Sequence, residues 1–166
     1  LRPIERPGGT HRQRNLGWVR ALAPGADGDM WIGTETFGLT RYDAATDRVE
    51  TLGSPAAPHE RHAPIRAVAV DGAGDVWVGS VGQGLYRYEV QQRRFEPQPL
   101  LVDGQPEARV LALRVGAGGT VWAGHWRGLA RLRPGHGWQP LSLPAHDGLP
   151  AGATVLALLE TRGGRL

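Results

Sequence analysis

The chain has 166 residues, 25 of them glycine and 13 proline, with no cysteine and a formal net charge of +3. Without cysteine there is no disulfide and no thiolate chemistry, and no apolar run approaches the ~20 residues that a membrane-spanning helix needs. All 19 basic residues are arginine, scattered along the whole sequence. They form no stripe of the kind that tracks a phosphate backbone, so nucleic acid is set aside as a partner.

Taken in order, the chain repeats itself. Residues 19–42 read VRALAPGADGDMWIGTETFGLTRY, residues 65–88 IRAVAVDGAGDVWVGSVGQGLYRY, and residues 110–132 VLALRVGAGGTVWAGHWRGLARL. A fourth copy opens at Val155. Trp31, Trp77 and Trp122 recur at intervals of 46 and 45 residues, and a fixed period of this size marks a repeat architecture. Aligned on that period, residues 1–5 fall on the last strand of a preceding copy.

Each copy starts with an apolar strand bearing alanine at one fixed place (Ala21, Ala67, Ala112, Ala157). A small residue there points to crowding, as at the inner edge of wedge-shaped sheets around an axis. A turn rich in Gly and Asp follows, at 25–29, 71–75 and 116–120. It reads as a hairpin and not as a calcium loop, since Asp27, Asp29, Asp71 and Asp75 lack the closing Glu at its proper spacing. The second strands, Met30-Trp31-Ile32, Val76-Trp77-Val78 and Val121-Trp122-Ala123, are apolar on both faces, the pattern of strands covered on both sides. Third strands open at Leu39, Leu85 and Leu129, and more polar fourth strands cover 48–52, 94–100 and 138–143. The linkers 53–64, 101–109 and 144–154 carry Pro and His. His59 and His62 have the spacing of a metal pair but no third ligand nearby, so no metal site is expected.

Four antiparallel strands in about 45 residues, repeated, is the arithmetic of a β-propeller blade. The expected fold is all-β: a partial β-propeller of three complete four-stranded antiparallel blades (19–52, 65–100 and 110–143) plus incomplete flanking blades (1–5 and 155–166). A ring of seven such blades takes about 315 residues, so the chain reads as one fragment, residues 1–166, of a larger propeller domain.

The pattern resembles the two-component regulator propeller repeat. It stands here as Gly148-Leu149-Pro150 before Val155, as Asp75-Val76-Trp77-Val78-Gly79-Ser80, and as Gly84-Leu85-Tyr86-Arg87-Tyr88. The third copy departs mildly, with Ala123 and Leu132. Members of that family carry such propellers as extracytoplasmic sensor regions, followed by a β-sandwich, one membrane span, and a histidine kinase or diguanylate cyclase. The resemblance therefore implies a bacterial, periplasmic, ligand-sensing module of a receptor anchored in the inner membrane. Its implied partners are neighbouring blades and downstream sensor and output domains, with no cofactor, and with membrane contact only through segments outside this sequence.

Against the repeated scaffold, the loops between second and third strands differ in every copy: 34–37, 80–83 and 125–127. In a propeller these loops gather at one axial end, beside the start of the inner strand, where Arg20 and Arg66 give way to Leu111 and Leu156. The candidate ligand-binding residues are thus Arg20, Glu35, Phe37, Arg66, Gln83, His125, Trp126 and Arg127. Arginine, glutamine, histidine and an exposed aromatic suit a carbohydrate or a small anionic ligand. Trp31, Trp77 and Trp122 are expected to pack between blades, and Arg41, Arg87 and Arg131 to fork onto turn carboxylates or carbonyls between blades. No catalytic motif is present. The alternatives are a propeller that binds protein as a scaffold, and a propeller lyase or hydrolase using His125 with Arg127.

Overall fold

A computed structural model describes residues 16–55, 64–141 and 152–161. It contains three four-stranded antiparallel sheets, each a meander whose spatial order follows the chain. The first holds β1 (Val19–Pro24), β2 (Met30–Thr34), β3 (Leu39–Asp43) and β4 (Arg48–Gly53). The second holds β5 (Ile65–Val70), β6 (Val76–Ser80), β7 (Leu85–Glu89) and β8 (Arg94–Pro97). Between second and third lies a two-stranded ribbon, β9 (Leu101–Val102) and β10 (Gln105–Pro106). The third sheet holds β11 (Val110–Val115), β12 (Val121–His125), β13 (Gly128–Leu132) and β14 (Trp138–Leu141).

Each sheet begins with the same hairpin. The bonds Gly25 N–H to Asp29 O (2.8 Å), Asp71 N–H to Asp75 O (2.9 Å) and Gly116 N–H to Thr120 O (2.8 Å) close it. Gly28 and Gly74 take φ of +80° and +87° there, a region that side chains with a Cβ rarely adopt.

The three tryptophan-bearing strands lie in three different sheets, stacked face to face. Trp31 and Ile65, Val68 and Tyr88 share one core between first and second sheets. Trp77, Val110 and Val121 share another between second and third, with Trp138 against it. The rings meet across sheets: Trp31 and Tyr88 at 6.0 Å, Trp77 and Trp138 edge-on at 6.1 Å. This stacking of four-stranded sheets is a partial β-propeller.

Glycine sets how closely the sheets approach. A Cβ on Gly33 would stand 2.8 Å from Ile65 Cγ2, and one on Gly79 would stand 2.7 Å from Val110 Cγ1. Gly124 repeats the contact, 2.7 Å from Val155 Cγ1. In every copy the first residue of an inner strand sits on the glycine of the sheet before it. Residues 153–161 form no strand, yet Val155 takes its place in this series and donates its N–H to His125 O at 3.2 Å. Residues 1–5, 148–150, His59 and His62 lie outside the described residues.

Two expectations are corrected. The fourth strand of the second sheet stops at Pro97, because Leu100 and Val102 turn inward to the core and the chain makes the β9–β10 ribbon around Asp103 and Gly104 (φ +52° and +73°). Arg41, Arg87 and Arg131 bond within their own sheets and not between blades. Arg41 Nε donates to Asp29 at 2.6 Å, Arg87 Nη2 reaches Asp75 at 2.9 Å and Asp71 at 3.3 Å, and Arg131 Nε donates to Gln139 at 3.3 Å. The reason is register: Trp31 and Arg41, like Trp77 and Arg87, are cross-strand partners, so each guanidinium lies over its own sheet's indole (5.6 and 5.8 Å) beside the turn carboxylates.

Candidate ligand-binding end

The inner strand of every sheet carries a bulge at the same place. Val19 pairs with Thr34 and Ala21 with Gly33, leaving Arg20 as the extra residue. Arg66 and Leu111 are the extra residues of the second and third sheets. A bulge re-aims the side chain it frees from the pleat. Beside it, one backbone bond fastens each variable loop to the residue before the inner strand. These are Glu35 N–H to Trp18 O (2.9 Å), Val81 N–H to Pro64 O (3.2 Å) and Trp126 N–H to Arg109 O (3.1 Å). Three equivalent sets of side chains result: Trp18, Arg20 and Glu35; Pro64, Arg66 and Val81; Arg109, Leu111 and Trp126.

The first set is internally neutral. Arg20 Nε donates to Glu35 Oε2 at 2.6 Å, and its guanidinium lies 5.0 Å from the centre of the exposed Trp18 ring. Phe37 is exposed nearby, its Cε2 3.8 Å from where a Cβ on Gly17 would be. In the second set Val81 stands where Glu35 did, and no ion pair among the described residues takes up Arg66. Gln83 ties this loop to the first sheet by accepting the Ser54 hydroxyl at 3.1 Å. In the third set Arg109 lies over Trp126 at 5.0 Å, and Trp126 is 52 % exposed.

Two of the predicted residues, His125 and Arg127, meet at the buried Glu107, with His125 sealed below this surface and the exposed Arg127 reaching inward from it. His125 ends β12, at the position Thr34 and Ser80 occupy in the other sheets, and is 1 % exposed. Thr34 and Ser80 donate to the carbonyls of Gly38 and Gly84 and accept the N–H of Phe37 and Gln83. His125 Nδ1 accepts the Arg127 N–H at 3.3 Å, and Nε2 finds no partner among the described residues. Glu107, buried directly after β10, takes Arg127 Nε at 3.1 Å and the Arg109 N–H at 3.0 Å, with His125 Nδ1 3.5 Å away. Arg127 also donates to Val102 O at 3.2 Å. His125 and Arg127 therefore brace the third loop and the ribbon, Arg127 through Glu107 and Val102 O.

Burial holds the His125 imidazole below its ordinary value of 6.5, outweighing the pull of Glu107 in the opposite direction. A base depressed on folding binds its proton more readily in the unfolded chain, so stability falls as pH drops below 6.5. Thermal melts between pH 8 and pH 5 should show that decline, and His125→Ser, which restores the residue of the second sheet, should flatten it. An unchanged slope in the variant would assign the decline to other groups.

Sequence reading missed Trp18, Arg109, Val81 and Glu107. The first three could have been found from the period alone, as the residues equivalent to Pro64 or Glu35. Glu107 carries no such signal, because it follows the β9–β10 ribbon, which the other copies do not repeat.

The two component regulator propeller family model matches residues 14–36, the span from the approach to β1 through the first variable loop. This stretch is similar to a two component regulator propeller repeat. No curated protein matches the chain in sequence. Among solved structures the propeller repeats resemble the extracellular domain of BT4673 from B. thetaiotaomicron, at 16% identity and TM-score 0.69 over 88% of this chain and 19% of that one. They also resemble virginiamycin B lyase from Staphylococcus aureus (12% identity, TM-score 0.61, 80% of this chain and 43% of that one). A third is YCF48 bound to D1 peptide (14% identity, TM-score 0.58, 75% of this chain and 40% of that one). Identities this low show the shared propeller fold, and the chain spans about a fifth of the BT4673 chain's length.

Proposed function

We propose that this chain is part of the extracytoplasmic sensor propeller of a bacterial two-component-type receptor, and that it binds a ligand without transforming it. In this reading residues 19–52, 65–100 and 110–143 are three blades of a larger ring, with 1–5 and 155–166 contributing to its flanking blades. The observation that carries it is the contrast between scaffold and loop end. Glycines, tryptophans, hairpins and bulges repeat from sheet to sheet, while the side chains they present (Arg20 and Glu35, Arg66 and Val81, Arg109 and Trp126) change each time. A surface varied over a fixed frame is how a binding face is built. Arg20, Glu35, Phe37, Arg66, Gln83 and Trp126 are the binding residues in this proposal. The match to the regulator repeat and the likeness to an extracellular domain support a place outside the cytoplasm, in the periplasm, in a parent anchored in the inner membrane. Ligand contact would shift the propeller against the domain that follows and bias the output.

A lyase or hydrolase reading needs His125 to reach substrate, and the ring is sealed under the loop. The test is a library of sugars, sugar acids, organic anions and peptides, scored by thermal shift and by hydrogen exchange. The reading expects protection of residues 34–37, 80–83 and 125–127 and recovery of the hit unchanged. Turnover of the hit, or protection confined to the hairpins at 25–29, 71–75 and 116–120, would overturn it.

A further inference from the structure

We infer that Arg66, Val81, Arg109 and Trp126 form a site for a small carboxylate borne on a ring with an apolar face, an inference that rests on the reading of the loop end as the ligand-binding end. The first sheet shows what a completed version looks like. There an exposed indole, an arginine and a carboxylate stand together, Trp18 beside Arg20 and Arg20 on Glu35 at 2.6 Å. Between second and third sheets the same cation and indole recur, but the carboxylate does not.

The four residues are held together by backbone. Val81 is fastened to Pro64, two residues before Arg66, and also makes an antiparallel bridge to Arg109. Arg109 in turn accepts the Trp126 N–H and lays its guanidinium over the indole at 5.0 Å. Gly82 and Gly84 both donate to Ala108 O, at 2.8 and 3.0 Å, which pins the second loop to the approach of the third inner strand. Arg66 is the bulged residue of β5 and half-buried.

Among the described residues no internal anion answers these charges. Glu107 is the acidic group next to Arg109, but it is 7 % exposed and its oxygens already serve the Arg109 backbone and the Arg127 side chain. Two guanidinium groups without a carboxylate, beside an exposed Trp126 and an exposed Val81, ask for an anion with an apolar surface. A carboxylate suits the arginine fork in two parallel hydrogen bonds, and an indole already covered on one side by Arg109 offers its remaining surface for stacking. A sugar acid and an aromatic carboxylate share this chemistry, so both are used as probes.

The experiment is isothermal titration of this chain with galacturonate and with benzoate, against galactose, benzamide and inorganic phosphate. Binding of either carboxylate at least about tenfold tighter than its uncharged counterpart is expected, the size of one charge-assisted hydrogen bond. The tighter of the two identifies the source. Arg66→Gln and Trp126→Ala should each weaken binding about tenfold or more, while Arg48→Gln on the outer strand of the first sheet should leave it unchanged. Circular dichroism melts confirm that the variants are folded. Equal binding of charged and uncharged probes, tighter binding of phosphate, full binding by Arg66→Gln, or no carboxylate binding at all would overturn the inference. A library hit that protects 80–83 and 125–127 yet ignores Arg66→Gln would sink this site and leave the sensor reading standing. A hit that protects only the hairpins at 25–29, 71–75 and 116–120 would sink both.

Discussion

Trp77→Ala is expected to destabilise the chain by about 3–5 kcal/mol, the range for removing a large buried aromatic. Trp77 is 5 % exposed and fills the core between second and third sheets, edge-on to Trp138 at 6.1 Å. It also carries a polar role. Its Nε1–H donates to Asp71 Oδ2 at 3.1 Å, where the first and third sheets have Gly25 and Gly116 at the equivalent position. Alanine would empty the space against Trp138 and deprive Asp71 Oδ2 of a donor, leaving that oxygen to Arg87 at 3.3 Å while Oδ1 keeps the N–H groups of Ala73 and Asp75. Trp122 supplies the comparison, since it holds the same place in the third sheet but is only half-buried. Urea unfolding should place Trp77→Ala well below Trp122→Ala in midpoint. Equal losses would mean that the tryptophans act within each sheet and not across sheets.

The second large effect comes from one added methyl. Gly79→Ala should cost about 1–3 kcal/mol or more, as overpacking does in a closed core. The new Cβ would stand 2.7 Å from Val110 Cγ1 and 3.0 Å from the Val110 carbonyl oxygen. The side chain can give way, but the carbonyl belongs to the inner strand and moves only with it. Val110→Ala in the same chain should therefore rescue Gly79→Ala in part and not fully. Gly72→Ala is the control, because nothing lies within 4 Å of a Cβ there. If Gly79→Ala and Gly72→Ala melt alike, the sheets are farther apart than this contact requires.

Most of the frame was legible from the residues because it repeats. Trp31, Trp77 and Trp122 fix the period, the Gly and Asp runs fix the hairpins, and apolar residues on both faces fix the stacking. The period also hid things. It treated 101–109 as a linker, although Asp103-Gly104 is a hairpin signal in its own right, and so it missed the ribbon that leads into Glu107. It placed Arg41 and Arg87 between blades because their recurrence looked structural, whereas cross-strand register keeps them over their own indoles. At the candidate site, Arg20 with Glu35 and the exposed Trp126 were visible as loop variation. The interior position of His125 was not, since a histidine in a variable loop reads as surface until β12 is seen to end on it. The bulge was equally silent, because a one-residue change of register leaves no mark in composition.

That extra residue has a consequence for how such a protein changes over time. Arg20, Arg66 and Leu111 sit outside the ladder, so Ala21, Ala67 and Ala112 after them keep their partners whatever occupies the bulge. Both arginine and leucine already occupy it within one molecule. Substitutions at that position are accordingly free to drift, one sheet at a time, and new chemical preferences can be sampled without first relearning how to fold.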